Sequence, residues 1–162
     1  MPTTDGSTLT VTLPSDREIR LVREFEAPRD LVFEVLTQPE HLRHWYGPRG
    51  YDITSCDVDF RPGGKWRVVH RDEQGNEFAF RGEVREVVAP ERAVRTFEWE
   101  GLPGHISVET LRLEDLRGRT RITITSAFDS VEDRDGMLQS GMERGASESY
   151  DRLAEYLAIL KA

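Results

Sequence analysis

The sequence predicts an α+β fold in which one curved antiparallel sheet is covered by a long C-terminal helix. Short runs of alternating apolar and polar residues, separated by glycine-containing turns, fill residues 51–128, and this pattern is typical of an antiparallel meander. Apolar residues then recur at helical spacing through residues 133–160. Because a sheet must cover its apolar face, and no other predicted helix is long enough, we expect this helix to lie across the sheet.

The alternation predicts six to seven strands. Residues 9–13 and 19–25 alternate on either side of the Pro14-Ser15-Asp16 turn, so they are expected to form a hairpin whose first strand could be frayed. The later strands are expected at residues 51–60, 66–70, 78–84, 94–100, 105–113 and 120–128.

Two short helices are expected after the first strands. Pro28 suits the first turn of a helix, because its missing N–H group would be unpaired there, and an apolar stripe follows through residues 31–36. The second helix carries Leu42 and Trp45 and ends at the Gly47-Pro48 pair.

The C-terminal helix contains Gly136, Gly141 and Gly145. Each glycine inside a helix costs about 1 kcal/mol relative to alanine. Their presence indicates either a bend or a helix face that must stay low above the sheet. In the second case, the helix would leave a cavity over the sheet, and the two short helices would close one end of it.

The chain of 162 residues predicts one domain, residues 17–162, preceded by a segment of residues 1–16 that could supply the first hairpin strand. Its net charge of −8 disfavours nucleic acids and anionic membranes as partners. The single cysteine, Cys56, cannot form an internal disulfide, and neither a signal peptide nor a membrane span is recognisable, so we expect a cytoplasmic protein. An exposed edge strand could pair two copies into a homodimer.

The stretch HWYGPRG, residues 44–50, places three ring-bearing residues beside a turn. These rings either fill a corner of the core or line the mouth of a cavity. We expect Trp45 to pack the second helix and Tyr46 to face the opening, and we interpret the Gly47-Pro48 turn as structural.

Alternation also places a set of large side chains on one face of the sheet, which forms either a solid core or the wall of an open pocket. We favour the pocket. His70 and Arg95 are its polar members, and a buried arginine requires either a carboxylate partner, such as a nearby glutamate, or an anionic ligand. With the residues from the helices, the candidate ligand-binding set is Trp45, Tyr46, Trp66, Val68, His70, Phe78, Phe80, Arg95, Phe97, Trp99 and Met142.

No metal site and no cofactor is expected. His41 and His44 lie three residues apart on a predicted helix, a spacing that can hold a metal, but no third ligand is near them in sequence. Cys56 is expected to be a small core residue. The sequence has no phosphate-binding loop, nucleophile elbow or dinucleotide fingerprint.

Four segments carry a resemblance to a known family: FEAPRDLVFEVLTQPEHLRHWYGP, DFRPGGKWRV, FRGEVREVVAPERAVRTFEW and SGMERGASESYDRLAEYL. In order and spacing they resemble the single-domain bacterial members of the family named for the activator of the Hsp ATPase. That family belongs to the START-like (SRPBCC, helix-grip) superfamily, with the major birch pollen allergen and the aromatic polyketide cyclases. The resemblance covers residues 18–160 and implies a helix-grip fold. The chain departs from the family pattern at Tyr46 and Met142, where relatives often have tryptophan.

The resemblance and the expected cavity together suggest three functions. The leading hypothesis is a non-enzymatic protein that binds a small apolar or amphipathic molecule between the sheet and the helix. The alternative is a polyketide cyclase-like or dehydrase-like enzyme that uses the same cavity, with His70 as its candidate catalytic residue. A co-chaperone-type interaction module is the third and ranks lowest.

Overall fold

The computed structural model describes residues 8–161, which form one antiparallel sheet and four helices. The strands are β1 (Thr10–Thr12), β2 (Glu18–Phe25), β3 (Asp52–Val58), β4 (Lys65–Arg71), β5 (Glu77–Val88), β6 (Arg92–Trp99), β7 (Ile106–Asp115) and β8 (Thr120–Ala127). The helices are α1 (Arg29–Thr37), α2 (Pro39–Trp45), α3 (Val131–Gln139) and α4 (Met142–Lys161).

The sheet has the strand order β1-β2-β8-β7-β6-β5-β4-β3, so β1 and β3 are its edges. All neighbouring strands are antiparallel. The predicted α+β helix-grip class is confirmed, with two short helices between β2 and β3 and a long helix at the C-terminal end.

The sheet contains eight strands rather than the expected six to seven. The first hairpin strand, which the sequence left open, is present as β1 and pairs with β2 by placing Thr10 opposite Val22 and Thr12 opposite Arg20. Residues 1–7 of the predicted N-terminal segment lie outside the described residues, and the division at residues 16 and 17 stays a prediction.

The expected single helix over residues 133–160 is two helices, because the chain turns at Ser140 and Gly141. Gly141 has a φ angle of +85°, a conformation that glycine adopts without steric cost. Of the two interpretations of the glycines, the bend is therefore confirmed at this position. The low-profile interpretation is wrong for Gly136 and Gly141, because both glycines are exposed at the surface rather than turned towards the sheet.

The core lies between the inner face of the sheet and one face of α4, and α2 packs against both α4 and β3. The sheet contributes apolar side chains at alternate positions of its strands, because alternate residues share one face. The buried residues of α4 are Ser149, Tyr150, Leu153, Ala154 and Leu157. Among residues 8–161, no helix combines the length and the apolar character that a bilayer crossing requires.

Replacing Gly141 by alanine should destabilise the fold by about 1–2 kcal/mol, the usual cost of a side chain in the left-handed region. Gly136→Ala is the matched control. That glycine lies inside α3 with open space around it, so alanine there should stabilise the fold by up to about 1 kcal/mol. Urea denaturation followed by circular dichroism measures both changes, and a Gly141→Ala variant as stable as the parent would contradict the bend.

Candidate functional site

The turn that follows α2 is fixed to α4 by backbone and side-chain hydrogen bonds. The backbone N–H of Gly47 donates to Ser149 Oγ at 3.0 Å, and Arg152 Nη1 donates to the Gly47 carbonyl at 2.9 Å. On the outside, Arg49 Nη2 lies 2.6 Å from Glu155 Oε2. These bonds hold the predicted HWYGPRG turn against the middle of α4.

Gly47 also lies directly under the ring of His70 on β4. A β-carbon at position 47 would be 2.6 Å from His70 Cε1 and 2.7 Å from His70 Nδ1, both closer than van der Waals contact allows. The φ angle of Gly47 is +106°, which also disfavours any other residue. The imidazole of His70 therefore occupies the volume that a side chain at position 47 would need.

The three rings of the turn point in three directions. Trp45 is 2% exposed and its indole N–H donates to the Val35 carbonyl at 3.0 Å, so it fills the core corner that the sequence indicated. His44 stacks on Tyr156 on the outer side, with 4.8 Å between ring centroids. Tyr46 instead points to the inner face of the sheet, where its ring centroid lies 5.4 Å from that of His70.

A group of polar side chains meets at the inner face of the sheet beneath α4. Arg95 on β6 donates through Nε to Glu109 Oε1 on β7 at 2.8 Å, and through Nη2 to the Tyr46 hydroxyl at 3.3 Å. Burial alone would lower the pKa of Arg95, but Glu109 and Tyr46 outweigh it and raise that pKa. We call Tyr46, His70, Arg95, Glu109 and Tyr150 the inner polar cluster.

Aromatic rings surround this cluster. The guanidinium carbon of Arg95 lies 4.0 Å from the centroid of the Trp66 ring, a cation–π contact. Phe97 packs against Trp66 at 5.9 Å and stacks on Phe80 at 5.4 Å, both between ring centroids. The ring of Phe80 in turn lies 5.6 Å from the imidazole of His70. The polar groups are thus set in an apolar wall.

The inner polar cluster is withdrawn from bulk water and yet remains accessible. Burial raises the pKa of Tyr46, and burial followed by the charge of Glu109 raises that of Tyr150. The side chains of Arg95 and Glu109 nevertheless keep 26% and 20% of their surface exposed. These two side chains are therefore largely enclosed by protein and still partly reached by water.

His70 has the smallest exposed fraction in the inner polar cluster. It is 5% exposed, and its Nδ1 has no hydrogen-bond partner within the described part of the chain. Burial, assisted by the positive charge of Arg152, lowers its pKa from 6.5 to about 4. The imidazole is therefore neutral near pH 7.

The remaining residues of the predicted set lie at different distances from the cluster. Val68 is buried and pairs with Phe80 across β4 and β5, and Met142 is half-buried at the start of α4. Phe78 packs instead on Tyr51, at 6.0 Å between ring centroids. Trp99 is 40% exposed, at the end of β6. The structure thus brings together Tyr46, Trp66, Val68, His70, Phe80, Arg95 and Phe97, while Phe78 lies opposite His70 and Trp99 opposite Phe80 at the margin of this group.

Sequence reasoning missed Glu109 and Tyr150. The signal for Glu109 was present in the alternation of β7, where Ser107, Glu109 and Leu111 occupy successive positions of one face. The carboxylate partner left open for Arg95 is therefore this glutamate, from the neighbouring strand. Tyr150 follows Ser149 on α4, and only the packing of that helix shows that it turns inward.

Two further features lie outside the inner polar cluster. His41 bonds Tyr156 at 2.7 Å through Nδ1 and Glu34 at 2.9 Å through Nε2, and no arrangement of His, Cys, Asp or Glu suited to a metal ion occurs within residues 8–161. An open groove of about 640 Å³ runs between α1 and the Ala89-Pro90 turn, lined in part by Phe33 and Glu34. It does not reach the cluster.

Comparisons with known proteins agree on the fold and the family. The family model described as Activator of Hsp90 ATPase homolog 1-like protein matches residues 26–158. A crystal structure from Rhodobacter sphaeroides is similar, with 25% identity, a TM-score of 0.89, and coverage of 94% of this chain and 99% of that one. A Nitrosomonas europaea protein has 28% identity and a TM-score of 0.83, and the match covers 92% of this chain and 99% of that one. The AHSA1 protein of Silicibacter pomeroyi has 26% identity and a TM-score of 0.75, and the match covers 88% of this chain and 99% of that one. No curated protein matches the sequence.

The burial of His70 makes stability depend on pH. Its folded-state pKa of about 4 lies below the ordinary value of 6.5, so its contribution is complete above pH 6.5 and is lost as the pH falls towards 4. The loss has a maximum slope of about 1.4 kcal/mol per pH unit. Urea denaturation at a series of pH values should show the free-energy difference between the parent and His70→Gln shrinking over this window. A difference that is independent of pH would contradict the assignment.

Gly47→Ala should destabilise the fold by roughly 2–5 kcal/mol, since it combines an unfavourable φ angle with overpacking against His70. In a His70→Ala background the added methyl group has room, so the same substitution should cost less there. A double-mutant cycle measured by urea denaturation gives this coupling. Additive costs would show that His70 does not occupy the volume beside Gly47.

Proposed function

The chain belongs to the family of Activator of Hsp90 ATPase homolog 1-like proteins, and on that fold we propose that it binds a small apolar or amphipathic molecule between the sheet and α4. The family's helix-grip fold is consistent with a ligand-binding cavity protein. The ligand would lie with its apolar body against the aromatic wall and its polar group at the inner polar cluster.

The accessibility of the Arg95–Glu109 pair is the observation that carries this proposal. Both side chains lie beneath α4 among aromatic rings, and both keep a fifth or more of their surface exposed. Charged groups in a protein interior are costly unless they are paired and hydrogen-bonded. An ion pair that is enclosed by protein but still accessible to solvent can also contact a ligand. Ligand pockets use a few polar groups of this kind to orient a mostly apolar molecule.

The wall of Trp66, Phe80 and Phe97 supplies the apolar part of the site. Burying apolar surface against such rings yields about 25 cal/mol per Å², so most of the affinity would come from this contact. The polar groups would mainly orient the ligand. Their hydrogen bonds to the ligand replace hydrogen bonds to water, and this exchange gives little net free energy.

A cyclase-like enzyme is the second candidate function, and the unpartnered Nδ1 of His70 is the observation that favours it. A neutral imidazole beside an aromatic wall could accept a proton from a bound substrate. However, its pKa of about 4 makes it a weak base near pH 7, where general bases work best with a pKa close to the ambient pH. Binding without catalysis therefore ranks first.

The binding proposal is tested with N-phenyl-1-naphthylamine, an uncharged probe whose fluorescence increases in apolar surroundings. Ser126 on β8 lies opposite Glu109 on β7 and Ile19 on β2, so it belongs to the inner face. Ser126→Phe should fill the space beside Glu109 and weaken probe binding by at least about tenfold, because overpacking leaves the ligand no room.

Thr125→Phe is the matched control, since the adjacent residue of β8 accepts a hydrogen bond from Arg20 on the opposite face. It should leave probe binding unchanged. Circular dichroism checks that both variants are folded. In a separate measurement, native mass spectrometry of the freshly purified parent protein detects any ligand that co-purifies with it. Absence of any fluorescence increase with the parent protein, or equal binding by the two phenylalanine variants, would count against the proposal.

A further inference from the structure

Glu109 lies where it can control which ligands approach Arg95. On β7 it pairs directly with Arg95 of β6 and with Ser126 of β8, so it stands at the centre of the inner face. Its Oε1 accepts a hydrogen bond from Arg95 Nε at 2.8 Å. The arginine side chain is thus held by a carboxylate that the protein itself provides.

The guanidinium of Arg95 already has partners among the described residues, and Glu109 balances its charge. Besides Glu109, the Tyr46 hydroxyl accepts from its Nη2, and Trp66 covers the guanidinium face. Tyr46 therefore keeps its own hydroxyl hydrogen available for a further acceptor, because its oxygen is the acceptor in the bond with Arg95.

The other cations near this face are also engaged. Arg23 on β2 forms an ion pair with Asp151 at 2.7 Å. Arg152 directs its guanidinium to the backbone carbonyls of Gly47 and Pro48, at 2.9 and 3.4 Å. His70 is neutral. The charges of Arg23 and Arg95 on the inner face are thus compensated by carboxylates, whereas Arg152, at the turn beside the cluster, contacts neutral carbonyl groups.

An anionic ligand would meet an obstacle in this arrangement. A carboxylate that approached Arg95 would have to displace Glu109 or lie beside it, and like charges repel strongly where water is scarce. An uncharged ligand with a carbonyl or hydroxyl group could accept the Tyr46 hydrogen without disturbing the ion pair. Specificity of this kind comes from a repulsive element as much as from an attractive one.

We propose that Glu109 is a specificity-determining residue that makes the site select uncharged ligands and exclude carboxylates. This inference rests on the proposed binding function, because it concerns the ligand class of the same site. It assigns to Glu109 a role beyond that of a structural counter-ion, and it predicts that removing its charge converts the site into one that binds anions.

The test compares two probes of the same shape, 2-naphthol and 2-naphthoate, by isothermal titration calorimetry at pH 7, where the first is neutral and the second ionised. The parent protein should bind 2-naphthol at least about tenfold more tightly. Glu109→Gln keeps the size and the hydrogen-bond acceptor but removes the charge, so the preference should reverse in favour of 2-naphthoate.

Glu98→Gln is the matched control. Glu98 forms an analogous ion pair, in which its Oε1 lies 3.1 Å from Arg81 Nε, and this pair is not part of the inner polar cluster. It should keep the parent's preference. The double variant Arg95→Gln/Glu109→Gln removes both charges of the ion pair. Because the pair then carries no charge, this variant should again prefer 2-naphthol. If Glu109→Gln fails to fold, Arg95→Gln leaves the charge of Glu109 unpaired and should weaken 2-naphthoate binding further relative to 2-naphthol, and an unchanged ratio of the two affinities would then overturn the proposal.

The outcomes separate this inference from the proposed function. A parent protein that prefers 2-naphthoate, a Glu109→Gln variant with an unchanged preference, or a double variant that prefers the anion would overturn the role of Glu109 and leave the binding function intact. Binding of neither probe by the parent would overturn the binding function and the inference together.

Discussion

Residue 47 is held between two elements of the fold, and the position of α4 above the sheet depends on that contact. From one side, Ser149 and Arg152 of α4 bond its backbone N–H and carbonyl, at 3.0 and 2.9 Å. From the other side, the His70 ring occupies the place of the missing side chain. The absence of a side chain at this position therefore allows the turn to lie between α4 and the His70 ring of β4.

Polar groups on the inner face of a sheet are not an efficient way to stabilise a fold. Enclosing a charged pair costs free energy that its attraction only partly returns, and apolar side chains of similar volume often serve stability equally well or better. A network of this kind is better understood as positioning, because Arg95 is fixed by Glu109, Tyr46 and Trp66 in one orientation. In the proposed site, this fixed orientation would make binding sensitive to the charge of the ligand.

The bend at Gly141 separates α3 from α4, and α3 bonds to connections between strands of the sheet. Its start is fixed by Ser130, whose hydroxyl accepts from the backbone N–H of Asp133 at 3.0 Å. The carboxylate of Asp133 in turn contacts His105 Nδ1 at 2.7 Å, in the connection between β6 and β7. The C-terminal region is thus attached to the sheet at two separate places, by α3 at one end and through the Gly47 turn in the middle of α4.

The sequence by itself determined the fold class, the order of the elements and most of the aromatic wall, because strand and helix periodicities are local and the alternation assigns each side chain to a face. It also marked Tyr46, His70 and Arg95 as polar groups on the inner side. Only the tertiary structure decided that Glu109 is the partner of Arg95, that the long helix bends at Gly141, and that Trp99 is 40% exposed. Those outcomes depend on the pairing of strands and on the packing of α4 over them, which bring together residues that no local pattern connects.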